Sequence, residues 1–358
     1  MTPDSRTAHL VASDDLAAPR GPSGPDGLAV PVDGDAGVRR LVPWRRAPFP
    51  APWDAWFGSE GPLHLEIGFG DGRYTVRRAI DDPGARFVGV EVSGVSVRRA
   101  LSKLRKEDLS NVRLVKGGAQ MAVRQLFAPA SLDSVTVNFP DPWPKGRHAE
   151  NRLLRVPFLT LLAERLGPRG EIRLATDHPD YLAFSCDEAR RSGLFDLEVR
   201  EPPAAVFETK YAVKWRDQGK PLHYLVFVRN DVAAPSTPPI ERPAIMPHAL
   251  LRGAPPAEVP FDKIVLPYAG GHVVLHEAMR SLGGDRGRDR LVVRATVDEP
   301  DLVQQLLVVV QRREGDAWIV RLESFGDPII TPAVRGAVHA VTEWLESSAS
   351  VTVDARNY

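Results

Sequence analysis

Residues 138 to 148, Asn138-Phe139-Pro140-Asp141-Pro142-Trp143-Pro144-Lys145-Gly146-Arg147-His148, gather a carboxylate, two cations and an imidazole around three prolines. Proline fixes φ and has no amide to donate, so Pro140, Pro142 and Pro144 end strand pairing and hold the loop open. The run before it, Asp133-Ser134-Val135-Thr136-Val137, is β-branched and bounded by turn formers, which predicts a buried strand. The loop therefore leaves the carboxyl end of a strand, the edge at which open α/β sheets bind ligands. A merely rigid connection would need the prolines but not Asp141, Trp143, Lys145, Arg147 and His148 beside them.

A second signal lies upstream, where Leu63-His64-Leu65-Glu66-Ile67 reads as a strand, Gly68-Phe69-Gly70-Asp71-Gly72 as a turn and Arg73 to Ile80 as a helix. Glycines at such a turn let the backbone approach a ligand at a helix start. Glu91 follows Gly72 by 19 residues, at the end of the strand Arg86-Phe87-Val88-Gly89-Val90. An acid there suits a pair of ribose hydroxyls. The glycine spacing differs from Gly-x-Gly-x-x-Gly and no phosphate-gripping lysine follows, so an adenosyl ligand without phosphates fits better than a dinucleotide.

Together, Glu66 with the glycine turn, Glu91, the Asn-Phe-Pro-Asp-Pro-Trp-Pro-Lys loop, Thr176-Asp177 and Thr209-Lys210-Tyr211 resemble the bacterial tRNA (guanine-N7)-methyltransferase family, over about residues 60 to 230. The proline loop is specific to that family, whereas the glycine turn is shared by most methyltransferases that use S-adenosylmethionine. The resemblance implies an α/β fold, the class I (Rossmann-like) seven-stranded sheet, and methyl transfer to N7 of guanosine at position 46 in the variable loop of tRNA. It also implies that Glu66, Gly68, Gly70, Gly72, Glu91, Gly118 and Asp141 contact S-adenosylmethionine, with Asp141 also catalytic. Lys145, Arg147, Asp177, Thr209, Lys210, Tyr211 and Ala212 would hold the tRNA. Gly118 stands where the family has an acid near the adenine, and Ala212 where its Thr-x-x-Glu element has glutamate. The basic run after the proline loop is diluted to Lys145-Gly146-Arg147-His148-Ala149-Glu150-Asn151-Arg152. Two other readings stay open: a tRNA-binding homologue with weak or lost catalysis, and a methyltransferase for another base or a small molecule.

The implied chemistry is consistent with these residue types. Guanine N7 is an unprotonated acceptor, so attack on a methyl sulfonium needs no base, only alignment. Guanine becomes cationic as it is methylated, and a fixed carboxylate such as Asp141 stabilises that charge. Asp177, after the strand Gly170 to Ala175, can accept from the donor edge of guanine or cap the helix that follows. Arg98, Arg99, Lys103, Arg105 and Lys106 form one cation cluster, and Lys145, Arg147, Arg152 and Arg155 another, either of which a polyanion would find. The first also reads as a solvated helix face. Trp143 reads either as a base-stacking platform or as an anchor for the loop.

At 358 residues the chain exceeds one usual domain, and 43% hydrophobic with 26% charged residues is the balance of a soluble globular protein. Net charge is zero, so any RNA surface must be local. Cys186 is the single cysteine, which excludes an internal disulfide and a cysteine-rich zinc site. The N-terminus lacks an apolar export segment and no run approaches a membrane span, so a cytoplasmic protein is expected and no metal site is read.

The predicted organisation is a disordered extension over 1–40, a methyltransferase domain over 41–230, a Pro-rich linker over 231–260 and a small α+β accessory domain over 261–358. Strands are predicted at 63–67, 86–91, 112–116, 132–138 and 170–176, with a closing pair at 194–200 and 222–229. Helices are predicted to begin near 73, 94, 120, 150 and 179. The accessory domain is expected to carry strands near 263–267, 291–297 and 317–323 and a helix near 332–346. Residues 261–358 hold 11 Lys plus Arg against 14 Asp plus Glu, which disfavours a phosphate-gripping module; homo-oligomerisation or protein docking is its expected role.

Overall fold

Short valine-rich runs at 86–91, 112–116 and 132–138, with charged residues mostly near their ends, mark strands covered on both faces, as the strands of parallel sheets are. The computed structural model describes residues 40–240, 246–254, 261–281, 290–313 and 315–358, without the side chains of residues 146–148, Trp215, Asp217 and Ala254. Of the extension read over 1–40, residues 1–39 lie outside the described residues. Strands β1 (Leu63–Ile67), β2 (Arg86–Glu91), β3 (Val112–Lys116), β4 (Leu132–Asn138), β5 (Leu166–Thr176), β6 (Phe195–Glu198) and β7 (His223–Arg229) form one sheet in the order β3-β2-β1-β4-β5-β7-β6. β7 runs antiparallel to β5 and β6, while β1 pairs in parallel with both β2 and β4. The order reverses between β1 and β4, which opens a crevice above their carboxyl ends.

The helices of this unit are α1 (Trp53–Phe57), α2 (Arg73–Asp81), α3 (Gly94–Lys106), α4 (Ala119–Leu126), α5 (Val156–Arg165), α6 (Pro179–Ser192), α7 (Ala204–Phe207) and α8 (Lys210–Asp217). The first four strands fall on their predicted bounds. α5 begins at Val156 rather than near 150, because residues 146–151 form a 3-10 turn and Pro157 belongs in the first turn of a helix. Its exposed amide at Val156 is satisfied by the Glu188 carboxylate of α6 at 2.7 Å. α1, α7 and α8 lack enough apolar periodicity to be read from sequence.

Residues 40–58 belong to this unit more closely than their composition suggests. Val42 donates to and Arg40 accepts from Leu114, at 2.8 and 2.7 Å, so the segment runs beside β3. Trp44, Trp53 and Trp56 are buried, and the Trp53 ring stacks on Phe127 with centroids 5.2 Å apart while its indole N–H bonds Leu126 O at 2.9 Å.

The second unit is larger in sheet than predicted. Strands β8 (His248–Ala254), β9 (Ile264–Tyr268), β10 (Gly271–Arg280), β11 (Arg290–Glu299), β12 (Leu302–Arg312), β13 (Ala317–Leu322) and β14 (Ser350–Asn357) form an antiparallel sheet in the order β14-β8-β13-β12-β11-β10-β9. β8 lies inside the stretch read as linker: Pro247 and Pro255 bracket it, and prolines at both ends of a short strand look like a linker in sequence. In β10 the register shifts between Leu275 and Glu277, which breaks the alternation that would have revealed it. Helix α9 (Pro332–Ser348) packs across the sheet, with Val334, Ala337, Val338, Val341 and Leu345 at helical spacing and fully buried. Its N-cap Thr331 accepts from Val334 N at 3.1 Å.

The two units share apolar contact, since Leu302 and Ile329 are buried in the same cluster as Val42 and Trp44. Residues 234–240 lie along the first unit, with Thr237 N on Glu164 and Ile240 N on Gln125. Trp53→Ala is expected to cost about 3–5 kcal/mol of stability by leaving a cavity and removing one of the two hydrogen bonds to Leu126 O; a denaturant midpoint unchanged from the parent would show that residues 40–58 are not part of the folding unit.

Candidate functional site

β1 delivers Glu66 to the carboxyl edge of the sheet, one residue before it ends. The side chain is 6% exposed, and both oxygens are engaged: Oε2 by the Thr75 hydroxyl of α2 and Oε1 by Asn138 Nδ2 of β4 at 3.2 Å. Burial pushes its carboxyl up to about 7, against the pull of those hydrogen bonds, and the nearby Glu91 charge adds to the rise. Beneath it a small polar cavity is lined by His64, Tyr74, Arg78, Thr136 and Arg173. Burial also takes the His64 imidazole down to about 4, and its Nδ1 lies 2.8 Å from Ser134 Oγ.

The chain then turns through Gly68, Gly70 and Gly72, at φ of 71, 56 and 80°. L side chains rarely adopt such angles. A Cβ at Gly72 would sit 2.6 Å from Ala100 Cβ, so this glycine lets α2 and α3 approach. At Gly68 and Gly70 nothing lies within 4 Å of that position, so their backbone faces open space. Glu91, at the end of β2, fixes the turn: its carboxylate accepts from Gly70 N at 3.0 Å and from Ser93 N, at the cap of α3, at 2.8 Å.

The proline loop leaves β4 at Asn138, whose Oδ1 is buried without a partner while its Nδ2 holds Glu66. An amide so placed keeps an unused acceptor next to the pocket. Phe139 and Trp143 take φ of 53 and 41°, uncommon for non-glycine residues. Arg152 pins the loop from behind, donating to Pro142 O at 3.0 Å and Trp143 O at 3.3 Å with its guanidinium 4.6 Å from the Phe184 ring. Read from sequence as a phosphate contact, Arg152 is a loop clamp. Trp143 is 38% exposed, and Asp141 and Lys145 are exposed. The side chain of Arg147 lies outside the described residues.

A partly open pocket lies between these parts. It brings together Glu66, Gly68, Gly70, Thr209, Lys210 and Tyr211 from the predicted set, and it adds Asn138, Arg73 and Arg99, for which sequence reading gave no pocket role. Asn138 stood in the motif as the polar residue ending an apolar strand, which was the available signal. Gly72, Glu91, Gly118, Asp141, Lys145, Asp177 and Ala212 do not line this pocket, although Glu91 holds its glycine turn through Gly70 N. Tyr211 and Phe139 rings stand 6.2 Å apart across its mouth.

Thr209 is 8% exposed, and its hydroxyl donates to Val206 O at 2.8 Å and accepts from Ala212 N at 3.1 Å. It therefore caps α8, and Ala212 is the buried residue that the cap holds. Asp177 does not cap α6: the cap residue is His178, and the Asp177 carboxylate lies 3.5 Å from Lys220 Nζ. Gly118 caps α4 in extended conformation, with open space where a Cβ would point. Gly117 beside it has none, because the Trp44 indole would sit 3.0 Å away.

Comparison with known proteins places residues 60–225 in the family described as "Putative methyltransferase". The tRNA (guanine-N(7)-)-methyltransferase of Thermus thermophilus is 42% identical over 307 residues, 86% of this chain and 96% of that protein. The protein of that name from Deinococcus radiodurans is 44% identical over 305 residues, 83% and 92% of the two chains. Matches of that length extend past the first sheet into the second unit. That of Mycobacterium avium is 37% identical over 187 residues, 51% of this chain and 71% of that protein.

Because the folded carboxyl of Glu66 sits near 7, above its ordinary 4.5, the folded chain keeps a proton that the unfolded chain has lost. That contribution is full below about pH 4.5 and disappears as pH rises through about 7. Glu66→Gln is therefore expected to gain on the parent as pH rises, by up to about 3 kcal/mol near pH 8, with Asn138 turning its Oδ1 to the new amide. A stability difference that is flat with pH in denaturant titrations would remove Glu66 as the titrating group.

Proposed function

The chain belongs to the tRNA (guanine-N7)-methyltransferase family, and on that basis we propose that it transfers a methyl group from S-adenosylmethionine to N7 of guanosine in tRNA. The carrying observation is the Glu66–Asn138 pair, a buried carboxylate and amide at the switch point of the sheet, opening on a pocket edged by glycines. These residues fit the donor. The backbone of Gly68 and Gly70 admits close approach, Glu91 suits the ribose hydroxyls, and the orphaned Oδ1 of Asn138 with Glu66 suits the ammonium end. The family resemblance assigns Gly118 to the adenine end; it lies outside the pocket lining, next to Gly117, whose N–H donates to Glu91 O at 3.1 Å. When bound, S-adenosylmethionine supplies a methyl group activated on a sulfonium.

The chain's own residues have two tasks. The first is to hold the base: the exposed Tyr211 ring, backed by Phe139, offers a face on which a guanine splayed from its loop stacks, with Asp177 an acceptor for its Watson–Crick donors. Thr209 contributes by capping the helix that carries Lys210 and Tyr211, and Ala212 by packing beneath it. Arg73, Arg99 and Lys210 at the pocket, with Lys145 and Arg147 on the loop, supply phosphate contacts. The second task is electrostatic. N7 needs no deprotonation, so Asp141 serves as a fixed anion for the charge that guanine gains, on a loop that Arg152 holds in place.

The proposal includes position 46 as the target and the cytoplasm as the location; among the described residues no helix is long and apolar enough to cross a membrane. Homo-oligomerisation or protein docking through the second unit is also part of it, and a single monomeric species of the full chain in sedimentation with native partners absent and present would overturn that part.

The test is incubation of the full chain with unmodified tRNA and isotopically labelled S-adenosylmethionine, followed by digestion and mass spectrometry. Labelled 7-methylguanosine is expected, and Asp141→Ala is expected to lower turnover at least about 100-fold with the fold intact. Label on another nucleoside would favour a different base, and tRNA binding without label would favour a non-catalytic homologue.

A further inference from the structure

The loop between β3 and α4, Lys116–Gly118, closes the adenine end of the cofactor site in the reading above, on which this inference rests. Gly118 offers no side-chain acceptor there, so the loop's contribution is made by its main chain. A main-chain contact is only as good as its placement. Two supports set that placement. Behind the loop, the Trp44 indole donates to Lys116 O at 2.7 Å and fills the space that a Gly117 Cβ would need. Beyond it, α4 begins at Gly118 and carries the loop's far end.

Both supports are fastened to the second unit. The Arg45 guanidinium lies 5.2 Å from the Trp44 ring and donates to Gln304 Oε1 at 3.3 Å. Gln304 is 2% exposed and clamped by the main chain of Ile329, accepting at 2.9 Å and donating at 2.9 Å, so its amide cannot turn without breaking both bonds. On α4, Arg124 meets Asp301 at 3.2 Å, one residue before the buried Leu302. An open cleft of about 1580 Å³, lined by Gln120, Arg124, Glu299 and Asp301, separates the units nearby. The connection near the loop thus combines the apolar contact of Leu302 and Ile329 with two polar struts, Arg45–Gln304 and Arg124–Asp301.

We propose that the second unit positions the methyl donor: Gln304 through Arg45 and Trp44, and Asp301 through Arg124, fix the β3–α4 loop against the adenine end of the pocket. Gln304 and Asp301 are positioning residues that touch neither donor nor RNA. Neither acts by attracting the polyanion, in keeping with the acidic balance of residues 261–358.

The test uses full-length Gln304→Leu, Arg45→Met, their double variant and Asp301→Asn. It reads S-adenosylhomocysteine affinity by calorimetry without RNA, tRNA affinity by filter binding, and steady-state kinetics. The dissociation constant for S-adenosylhomocysteine and KM for S-adenosylmethionine are expected to rise about fivefold to tenfold. At saturating donor kcat should hold, as should tRNA affinity, and the double variant should match the weaker single because both cut one strut. Gly118→Asp in the Gln304→Leu background should recover affinity, since the space there is open. Arg45→Met leaves the second unit's core intact, so it decides the matter if Gln304→Leu fails to fold. Folded variants with unchanged S-adenosylhomocysteine affinity would overturn the proposal, as would loss of tRNA affinity with donor binding intact. A parent chain that binds no S-adenosylhomocysteine would instead refute the cofactor reading.

Discussion

A carboxylate that is almost entirely out of water constrains everything around it. Glu66 sits at the centre of the sheet's carboxyl edge, where ionising it costs several kcal/mol unless donors are supplied. The fold supplies them from two directions, a hydroxyl from the first turn of α2 and an amide from the last residue of β4. For both to reach, α2 must begin within a few residues of β1 and β4 must lie directly beside it. The glycine turn meets the first requirement, since a chain reversing that sharply needs the left-handed angles at Gly68, Gly70 and Gly72. The strand order β2-β1-β4 meets the second. The same arrangement leaves Asn138 Oδ1 buried without a partner beside the pocket, so satisfying one buried group leaves another to be satisfied.

Legibility from sequence followed how locally each feature is determined. β1 to β4 are readable because short segments rich in Val, Leu and Ile are bounded by turn formers or charged residues. The glycine turn and proline loop were readable because φ restrictions are properties of single residues. Long-range partners were not. Arg152 looks like any cation after a basic loop until its guanidinium is found on two carbonyls of that loop and over Phe184. Thr209 reads as a substrate contact in its motif, yet its hydroxyl is spent inside α8's cap. Asp177 reads equally as a cap, and geometry gives it Lys220 instead. In the second unit, a register shift in β10 and the prolines flanking β8 hid strands whose identity is fixed only by their neighbours.

The zero net charge is a sum over unlike regions. Cations gather at the carboxyl edge of the first sheet, where Arg73, Arg99 and Lys210 surround a pocket floored by acids. Much of the remaining charge is paired: Arg200 with Glu171 and Glu198, Arg252 with Asp354, Arg356 with Glu343 and Glu346. Exposed pairs of this kind contribute little to stability. Their consequence is that they leave the field of the site less diluted by stray charge, which matters for a polyanion whose approach is governed by local potential.

The position of the second unit can be argued from the same economy of partners. The Trp44 indole donates to the main-chain carbonyl of Lys116 at the end of β3 and its ring lies against Gly117. Leu302 and Ile329 complete its apolar surroundings, while Gln304 and Asp327 receive the cations on either side, Arg45 and Arg46. A segment packed between two units in this way cannot shift without opening both. The β3–α4 loop, which lacks a side chain at Gly118, thereby acquires rigidity from a part of the chain more than 180 residues away in sequence, Gln304. Affinity for a small ligand increases when its contacts are ordered before it arrives. A domain that never touches the ligand can supply that order.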